Sequence, residues 1–474
     1  MARRLHFWAF MAILIWAPLP LGSNRPWSWT LLAVLFGILA ATAPAVMALD
    51  RGFPWTPVRR IAGAGLLFGA VLVWAALQGS TVLPQGLAHP IWSEAATGLP
   101  AEMASGGRAA VDRDGVLTGI MRLICYGAVF WLAFQHGRSG NRARLSLATI
   151  ALASGVYALY GLAAHFSGSE RILWMPKLVY QTYLTGTFIN PNSYAAYAGL
   201  GLIASLATVA IRLQRRRSPA IGAEFLDRTG IFAAVAFAGL LALLGTGSRA
   251  GIVATACGVA VLFLGIWIVR RPVAGRISAL SAAGGAVAGV GLIAGAAALR
   301  FGPQLTDAAD RLRIYGITLD LIAARPWTGY GLGSFPTLFA SVRPDTVTQV
   351  WNQAHNVYLE LALDLGIPAA AVMLCAILWL LSCCVRGMLV RRRDGVLPAS
   401  GLAASALIGS HSLLDFSVQI PAVAVTWMAL LGVAVAQSWS EASQAGPRII
   451  GPGGASSPRA EQGTRSAEPS RHSV

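Results

Sequence analysis

The stretch from 351 to 366, WNQAHNVYLELALDLG, contains the side chain best suited to act as a base in this sequence. His355 stands where a polar loop turns into an apolar helix, and we predict that it lies in the first turn of that helix. The positive end of a helix dipole favours neutral imidazole, the form that accepts a proton near pH 7. Its neighbour Asn356 could hydrogen-bond the loop or a ligand. A lone loop histidine is more often structural than catalytic, so the case for a base needs charged groups nearby.

Arg249, in LGTGSRAG, is one candidate for such a charged group. The two apolar runs on either side are so close that its guanidinium must lie near a membrane–water boundary. It could contact phospholipid headgroups there. It could also be a fixed phosphate ligand, because Gly245, Gly247 and Gly251 allow backbone and ligand to approach closely. We favour the phosphate ligand.

Arg311 and Arg313 lie in an amphipathic segment, LTDAADRLRIYGITLDLIAA. The structural alternative for both arginines is pairing along a helix. Asp307 could pair with Arg311 at spacing i,i+4, and Asp310 could pair with Arg313 at spacing i,i+3. Exposed pairs of this kind contribute only a few tenths of a kcal/mol.

Four further polar residues are possible supporting residues. Asn190 and Asn192 form an Asn-Pro-Asn turn, which we expect to cap the next span. His411 and Asp415 are spaced i,i+4 near the outer end of a later span. A structural hydrogen bond between those two side chains is our first expectation, and a functional role is the second.

Glu360 and Asp364 lie one turn apart after His355, and we expect them to orient the neighbouring loop or to cap arginines. The outer segments contain no nucleotide-phosphate loop, no acidic cluster and no DxD-like motif. We therefore predict a reaction with no metal and no cofactor. Cationic side chains would have to neutralise a leaving diphosphate, which fits a pre-activated, lipid-linked donor.

The composition is that of a polytopic membrane protein. Hydrophobic residues make up 56% and charged residues 12% of the chain, against about a quarter charged in soluble domains. The net charge of +17 could suggest nucleic acid, but the arginines lie mostly in short loops between apolar runs, so we predict no nucleic-acid binding. The five cysteines lie within apolar runs without metal-ligand spacing, and no disulfide framework is expected.

The apolar runs predict an all-α protein with about twelve transmembrane helices. They lie near 5–21, 27–49, 61–83, 117–135, 145–166, 193–211, 230–246, 250–269, 277–298, 356–385, 399–415 and 420–438. The first run is expected to be a retained span and not a cleaved signal. Loop arginines concentrate in the segments that face inside if both termini are cytoplasmic.

Residues 1–438 then form one membrane domain, and residues 439–474, rich in Gly, Pro, Ser and Arg, form a disordered cytoplasmic tail. A large, partly helical outer loop at 299–354 separates spans 9 and 10. A loop of this length with structure of its own is more often functional than passive.

Several segments together resemble the O-antigen ligase/polymerase family of bacterial polytopic membrane glycosyltransferases. They are GTFINPNSYAAYAGL (186–200), TGSRAG (246–251), the stretch 311–335 and AHNVYLELALDLGIP (354–368), within a region of about 180–420. HSLLDF (411–416) resembles a subset often grouped with exopolysaccharide clusters. The family's loop arginine is followed by an aromatic residue four positions later and then by Pro-x-x-Gly-x-Gly. Residues matching that pattern here are Arg311, Tyr315, Pro326, Gly329 and Gly331, with Tyr in place of the usual Trp.

The resemblance implies a metal-independent, inverting transfer of a glycan from undecaprenyl diphosphate to an acceptor hydroxyl, at the periplasmic face of the bacterial inner membrane. The acceptor is a lipid A–core sugar for a ligase of lipopolysaccharide biosynthesis, and a second lipid-linked repeat unit for a polymerase. Arg249 and Arg311 would bind the diphosphate, and His355 would deprotonate the acceptor. A secondary transporter is the rival class, and it would require ionisable residues at mid-membrane. Here they lie mostly at loop ends.

Overall fold

The computed structural model of the chain describes residues 1–49, 56–97, 106–215, 223–272, 305–345, 347, 349–391 and 394–439. These residues form α-helices and one short antiparallel hairpin, β1 (Arg171–Ile172) and β2 (Met175–Pro176). The helices are α1 (Ala2–Trp16), α2 (Pro26–Ala48), α3 (Ala62–Gln78), α4 (Ile91–Thr97), α5 (Arg113–His136), α6 (Gly140–Phe166), α7 (Pro191–Arg215), α8 (Ala223–Gly245), α9 (Arg249–Arg270), α10 (Leu305–Ala324), α11 (Phe335–Val342), α12 (Val357–Leu365), α13 (Ile367–Val390), α14 (Val396–His411) and α15 (Pro421–Ala436).

Six of these helices are long and apolar enough to cross a membrane, namely α2, α5, α6, α7, α9 and α13. Shorter apolar helices are α3, α14, α15 and the part of α8 at Thr229–Gly245. An apolar run in lipid forms a helix because only helical hydrogen bonding satisfies its backbone groups there. The all-helical, multi-pass class is confirmed. The count of twelve stays a prediction, since the expected span at 277–298 and the tail after Trp439 lie outside the described residues.

The amphipathic segment of the large loop is the helix α10, with the bounds that the sequence pattern suggested. The single span expected at 356–385 is wrong, because Gly366 divides it into α12 and α13. Gly366 has φ 78° and ψ 157°, a conformation reserved almost entirely for glycine. The final turn of α12 is capped by the loop after α10, where the Tyr330 amide donates to Leu363 O at 2.9 Å.

At one end of the bundle, which we call the site end, the predicted outer connections contact one another. Thr187, before α7, donates its Oγ1 hydrogen to Pro18 O, after α1, at 2.7 Å. Val111, before α5, donates its amide to Tyr330 O in the large loop at 2.8 Å. Outer connections that lie far apart in sequence therefore meet on one side of the bundle.

At the opposite end the predicted inner connections meet. Asp394, between α13 and α14, lies 2.9 Å from guanidinium nitrogens of both Arg144 and Arg215. Gln437, after α15, donates its side-chain amide to Gly137 O, between α5 and α6, at 2.6 Å. The predicted span count and the orientation in the membrane stay predictions.

The helix α7 lies at the centre of the bundle, with 89% of its most apolar window buried. Small residues allow this packing, as a missing side chain lets neighbouring backbones approach. A Cβ at Gly201 would meet Ser154 of α6, and one at Gly199 would meet Thr255 of α9. The first turn of this central helix carries Asn192 to the site end.

We expect Gly329→Ala to destabilise the protein by about 2 kcal/mol or more. The residue has φ +63°, and a Cβ would lie 2.5 Å from Asp364 O and also meet Gly366 N, so backbone strain and a backbone clash combine. Gly316→Ala is the matched control, because that glycine lies in α10 with no atom within 4 Å of its Cβ position. The control should be neutral or slightly stabilising. Thermal unfolding in detergent measures both variants, and equal midpoints would contradict the assigned loop packing.

Candidate active site

His355 lies just before α12 and not within its first turn, so that prediction is wrong. Asn356 is the N-cap of the helix, and its Oδ1 accepts hydrogen bonds from the amides of Tyr358 and Leu359 at 3.1 and 3.2 Å. Asparagine is among the best N-caps, since its side chain satisfies first-turn amides. The Asn356 side chain therefore binds amides of its own helix, whereas the prediction was a hydrogen bond to the loop or to a ligand.

The backbone of His355 is held in a left-handed conformation, with φ 53°. Such a conformation costs a non-glycine residue about 1–2 kcal/mol and persists where neighbours fix it. Tyr315 of α10 donates its hydroxyl to His355 O at 3.0 Å. The preceding residue, Ala354, donates its amide to Glu360 Oε2 at 2.8 Å. The large loop and α12 thus determine the direction of the histidine side chain together.

The imidazole of His355 lies beside a buried carboxylate. Its Nδ1 is 3.4 Å from Asp415 Oδ2, and its ring is 19% exposed. Trp351 and Phe416 contact the ring edge-on, at centroid distances of 5.1 and 4.8 Å. Nδ1 is buried against Asp415, so Nε2 is the ring nitrogen left to face a ligand.

Asp415 is fully buried and still ionised. Its Oδ2 accepts a hydrogen bond from Asn192 Nδ2 at 2.9 Å, and its Oδ1 accepts one from Ser417 Oγ at 2.6 Å. Burial alone would raise the pKa of Asp415, but its interactions with His355, His411 and Ser417 outweigh burial and lower the pKa to about 2. A negative carboxylate beside Nδ1 favours a proton on that nitrogen and a free lone pair on Nε2.

His411 does not form the hydrogen bond that we expected with Asp415. Both of its ring nitrogens are buried without a partner among the described residues, and only a backbone bond, from Asp415 N to His411 O at 3.0 Å, joins the two. The reason is that α14 ends at His411. The i,i+4 rule needs a continuous helix, and the chain turns before Asp415, which rotates the carboxylate towards α7.

Arg311 is linked to the same segment, since its Nη1 donates to Leu414 O at 3.1 Å. Arg313 is exposed and lies about 200° further round α10, so it points away from the pair of His355 and Asp415, which we call the dyad. Its expected ion pair with Asp310 is absent from the described part of the chain. The side chain of Asp307 lies outside the described residues. Of the two loop arginines, only Arg311 accompanies His355.

Arg249 is the first residue of α9, directly after the N-cap Ser248, whose Oγ accepts from the Gly251 amide at 3.1 Å. A Cβ at Gly251 would lie 2.5 Å from that of Ala195 on α7, one turn from Asn192. The start of α9 therefore packs against the start of α7 at the site end. Direct contacts connect Asn192 with the dyad, whereas Arg249 shares the site end through helix packing.

Asn190 has the predicted capping role, since its Oδ1 accepts from the Asn192 amide at 2.8 Å before α7. Asn192 does more than cap, because its side chain reaches Asp415. The roles of Trp351, Phe416 and Ser417 were not predicted. Two of them, Phe416 and Ser417, lie in the cluster of polar and aromatic residues HSLLDFSVQ, which was the sequence pattern that could have indicated them.

Glu360 and Asp364 orient the large loop, as predicted. Besides Ala354, Glu360 accepts from Gln419 Nε2 at 2.9 Å, and Asp364 accepts from the Gly333 amide at 2.6 Å. Burial raises the pKa of Glu360 to about 7, and burial together with Glu360 raises the pKa of Asp364. Burial therefore favours the protonated form of both carboxyls.

Within the described ranges no three His, Cys, Asp or Glu side chains gather as a metal-binding group. The chemistry that the described side chains can supply is proton transfer at His355 Nε2, assisted by the Asp415 charge and accompanied by the fixed positive charge of Arg311.

Part of the chain is similar to a known protein family. Residues 232–374 match the family model described as O-Antigen ligase. The match runs from α8 into α13 and so includes Arg249, Arg311 and His355, although it is narrower than the region of resemblance at 180–420. A comparison with curated proteins found no match. The family match confirms the resemblance carried by the motifs, over residues 232–374 of the chain.

Proposed function

We propose that this multi-pass membrane protein transfers a glycan from an undecaprenyl diphosphate carrier to an acceptor hydroxyl, without a metal and with inversion. The observation that carries the proposal is the buried Asp415 carboxylate 3.4 Å from His355 Nδ1, next to the segment that binds Arg311. The family match supports a membrane glycosyltransferase of the O-antigen ligase/polymerase type. Donor, acceptor and stereochemistry belong to the proposal.

His355 acts as the general base in this scheme. Its Nε2 takes the proton of the acceptor hydroxyl while the acceptor oxygen bonds to the anomeric carbon of the donor sugar. The bond from that carbon to the diphosphate oxygen breaks on the opposite face, and its electron pair leaves with the diphosphate, so the configuration inverts. The imidazolium that forms lies beside the ionised Asp415, which stabilises it.

The arginines stabilise the charge that develops on the departing diphosphate. Arg311, partly exposed and anchored through Leu414 O, offers its remaining N–H groups to a phosphate. Arg249 adds a second positive charge at the start of α9, where the helix dipole also favours an anion. Donors fixed before the reaction are worth several kcal/mol at a developing charge.

The acceptor divides the proposal into two variants. We propose a lipid A–core sugar, as in lipopolysaccharide biosynthesis, with repeat-unit or exopolysaccharide polymerisation as the alternative. The segment HSLLDF, which contains Asp415, favours the polymerase alternative because it resembles the exopolysaccharide subset. For either acceptor, the protein lies in the bacterial inner membrane, with cytoplasmic termini and its active site facing the periplasm. A secondary transporter fits the site less well.

We expect His355→Ala to abolish glycan transfer while membrane insertion and thermal stability stay near wild type. Removal of a general base costs about 10²–10⁴-fold in rate. Purified protein would be incubated with a lipid-linked oligosaccharide, and lipid A–core and a second lipid-linked unit would be offered separately as acceptors. The acceptor that is extended distinguishes ligase from polymerase. Near-normal product from the variant would remove His355 as the base.

Asp415→Asn is expected to lower kcat by about 100-fold, with KM for the donor little changed. An amide cannot stabilise the imidazolium, and its N–H group favours the wrong tautomer of His355. Asp394→Asn is the control, since Asp394 is also a mostly buried acid but pairs with arginines at the opposite end. Asp415→Glu should recover part of kcat. Equal losses in the Asp394 and Asp415 variants would indicate a merely structural carboxylate.

Arg311→Lys should impair transfer by about tenfold or more, even though the charge is retained. A lysine cannot bind Leu414 O and a phosphate with one planar group. The neighbouring variant Arg313→Lys should transfer normally, because that side chain is exposed on another face of α10. Initial rates at saturating acceptor provide the comparison. The assignment fails if both lysine variants behave alike.

A further inference from the structure

Arg122 is a charged residue within the apolar helix α5, and the glycan-transfer site does not use it. It lies nine residues after Arg113, about two and a half turns into the helix. Its guanidinium Cζ stacks 3.8 Å from the ring centre of Trp29 in α2. An ionisable residue inside a membrane span is costly and usually has a function.

Two hydrogen-bond donors on this face of α5 are buried without an acceptor. They are Nε of Arg122 and the hydroxyl of Tyr126, and neither has a hydrogen-bond partner among the described residues. The two side chains are spaced i,i+4 and so lie one above the other. No described ion pair involves Arg122. Stacking on Trp29 contributes about 0.5–2 kcal/mol, which is less than an unpaired buried charge costs.

The position of the guanidinium along the membrane normal fits a lipid headgroup. Side chains on a helix point back towards its N-terminus, which for α5 is the site end. The guanidinium therefore lies nearer the site end than its Cα does. Its stacking partner Trp29 is only three residues after the start of α2, also at the site end. Trp is typical of the interface where headgroups lie.

The helix that carries these donors also contacts the large loop. Asp112, the N-cap of α5, accepts a hydrogen bond from Thr337 Oγ1 at 2.9 Å, and a Cβ at Gly119 would meet Leu332. The helix with Arg122 therefore packs against the large loop that also contacts the glycan-transfer site.

We propose that Arg122, Tyr126 and Trp29 form an intramembrane subsite for the phosphoryl headgroup of a lipid. The guanidinium donates N–H groups to phosphate oxygens, the Tyr126 hydroxyl donates to the same group, and Trp29 keeps the guanidinium plane oriented. A polyprenyl phosphate carrier and an anionic phospholipid share this chemistry. The subsite does not depend on the proposed glycan transfer.

The test is lipid binding by the delipidated full-length protein, followed by native mass spectrometry. The probes are undecaprenyl phosphate, phosphatidylglycerol and, as the uncharged control, undecaprenol. We expect Arg122→Gln to weaken binding of the phosphate lipids by about tenfold or more, the effect of losing a charge-assisted hydrogen bond. Tyr126→Phe, which keeps the ring, should weaken it by a smaller factor.

Arg271→Gln is the matched control, because Arg271 also stacks on a tryptophan, with Cζ 4.2 Å from the Trp267 ring, but at the opposite end. The Arg271→Gln variant should bind the phosphate lipids at the wild-type level in this assay. Preference for undecaprenyl phosphate over phosphatidylglycerol assigns the subsite to a lipid carrier, and equal binding assigns it to phospholipid. Wild-type affinity in both Arg122→Gln and Tyr126→Phe, or equal affinity for undecaprenol, would overturn the proposal.

Discussion

A single buried negative charge organises the site end of this protein. Asp415 has no solvent access, and a carboxylate in that position would destabilise the fold by several kcal/mol without donors around it. Asn192 at the start of α7 and Ser417 in the same connection as Asp415 donate hydrogen bonds to its carboxylate, and His355 Nδ1, before α12, lies 3.4 Å away. The charge therefore requires these segments to meet, and it places His355 where the proposed reaction needs a base.

A second layer of buried acids fixes the large loop against this arrangement. Glu360 and Asp364 accept hydrogen bonds from the backbone amides of Ala354 and Gly333, so one short helix holds the large loop at two points. The close backbone contact of Gly329 with Gly366 has the same effect. Apolar packing in the membrane is not directional, whereas these hydrogen bonds are, and they fix the orientation of the loop beside His355.

Local features of the chain were readable from its sequence, and distant pairings were not. Apolar runs and the amphipathic segment gave most helices, including the bounds of α10, because hydropathy and periodicity act over neighbouring residues. The choice of Arg311 over Arg313 came from the family pattern, and the geometry at Leu414 agrees with it. The contact between Asn192 and Asp415 spans 223 positions, and no local pattern encodes it.

The wrong predictions also arose where a local sequence pattern was used for a feature that it does not determine. The i,i+4 spacing of His411 and Asp415 suggested a pair, but the spacing is meaningful only if the helix continues past His411. The placement of His355 inside a helix failed because Asn356 is the stronger N-cap. In both cases a helix terminus, the least certain feature of a periodic pattern, decided which side chain reached the site.

Side-chain contacts at both ends of α7 fix the position of this helix relative to α14. Arg215, near the last turn, is attached to the connection before α14, while Asn192, in the first turn, is attached to the connection after it. If α7 and α14 slid past each other by a single residue, about 1.5 Å, the side-chain contact at each end of α7 would break. The lipid-linked substrates of the proposed reaction would then enter by displacement of peripheral segments, while α7 and α14 keep their relative position.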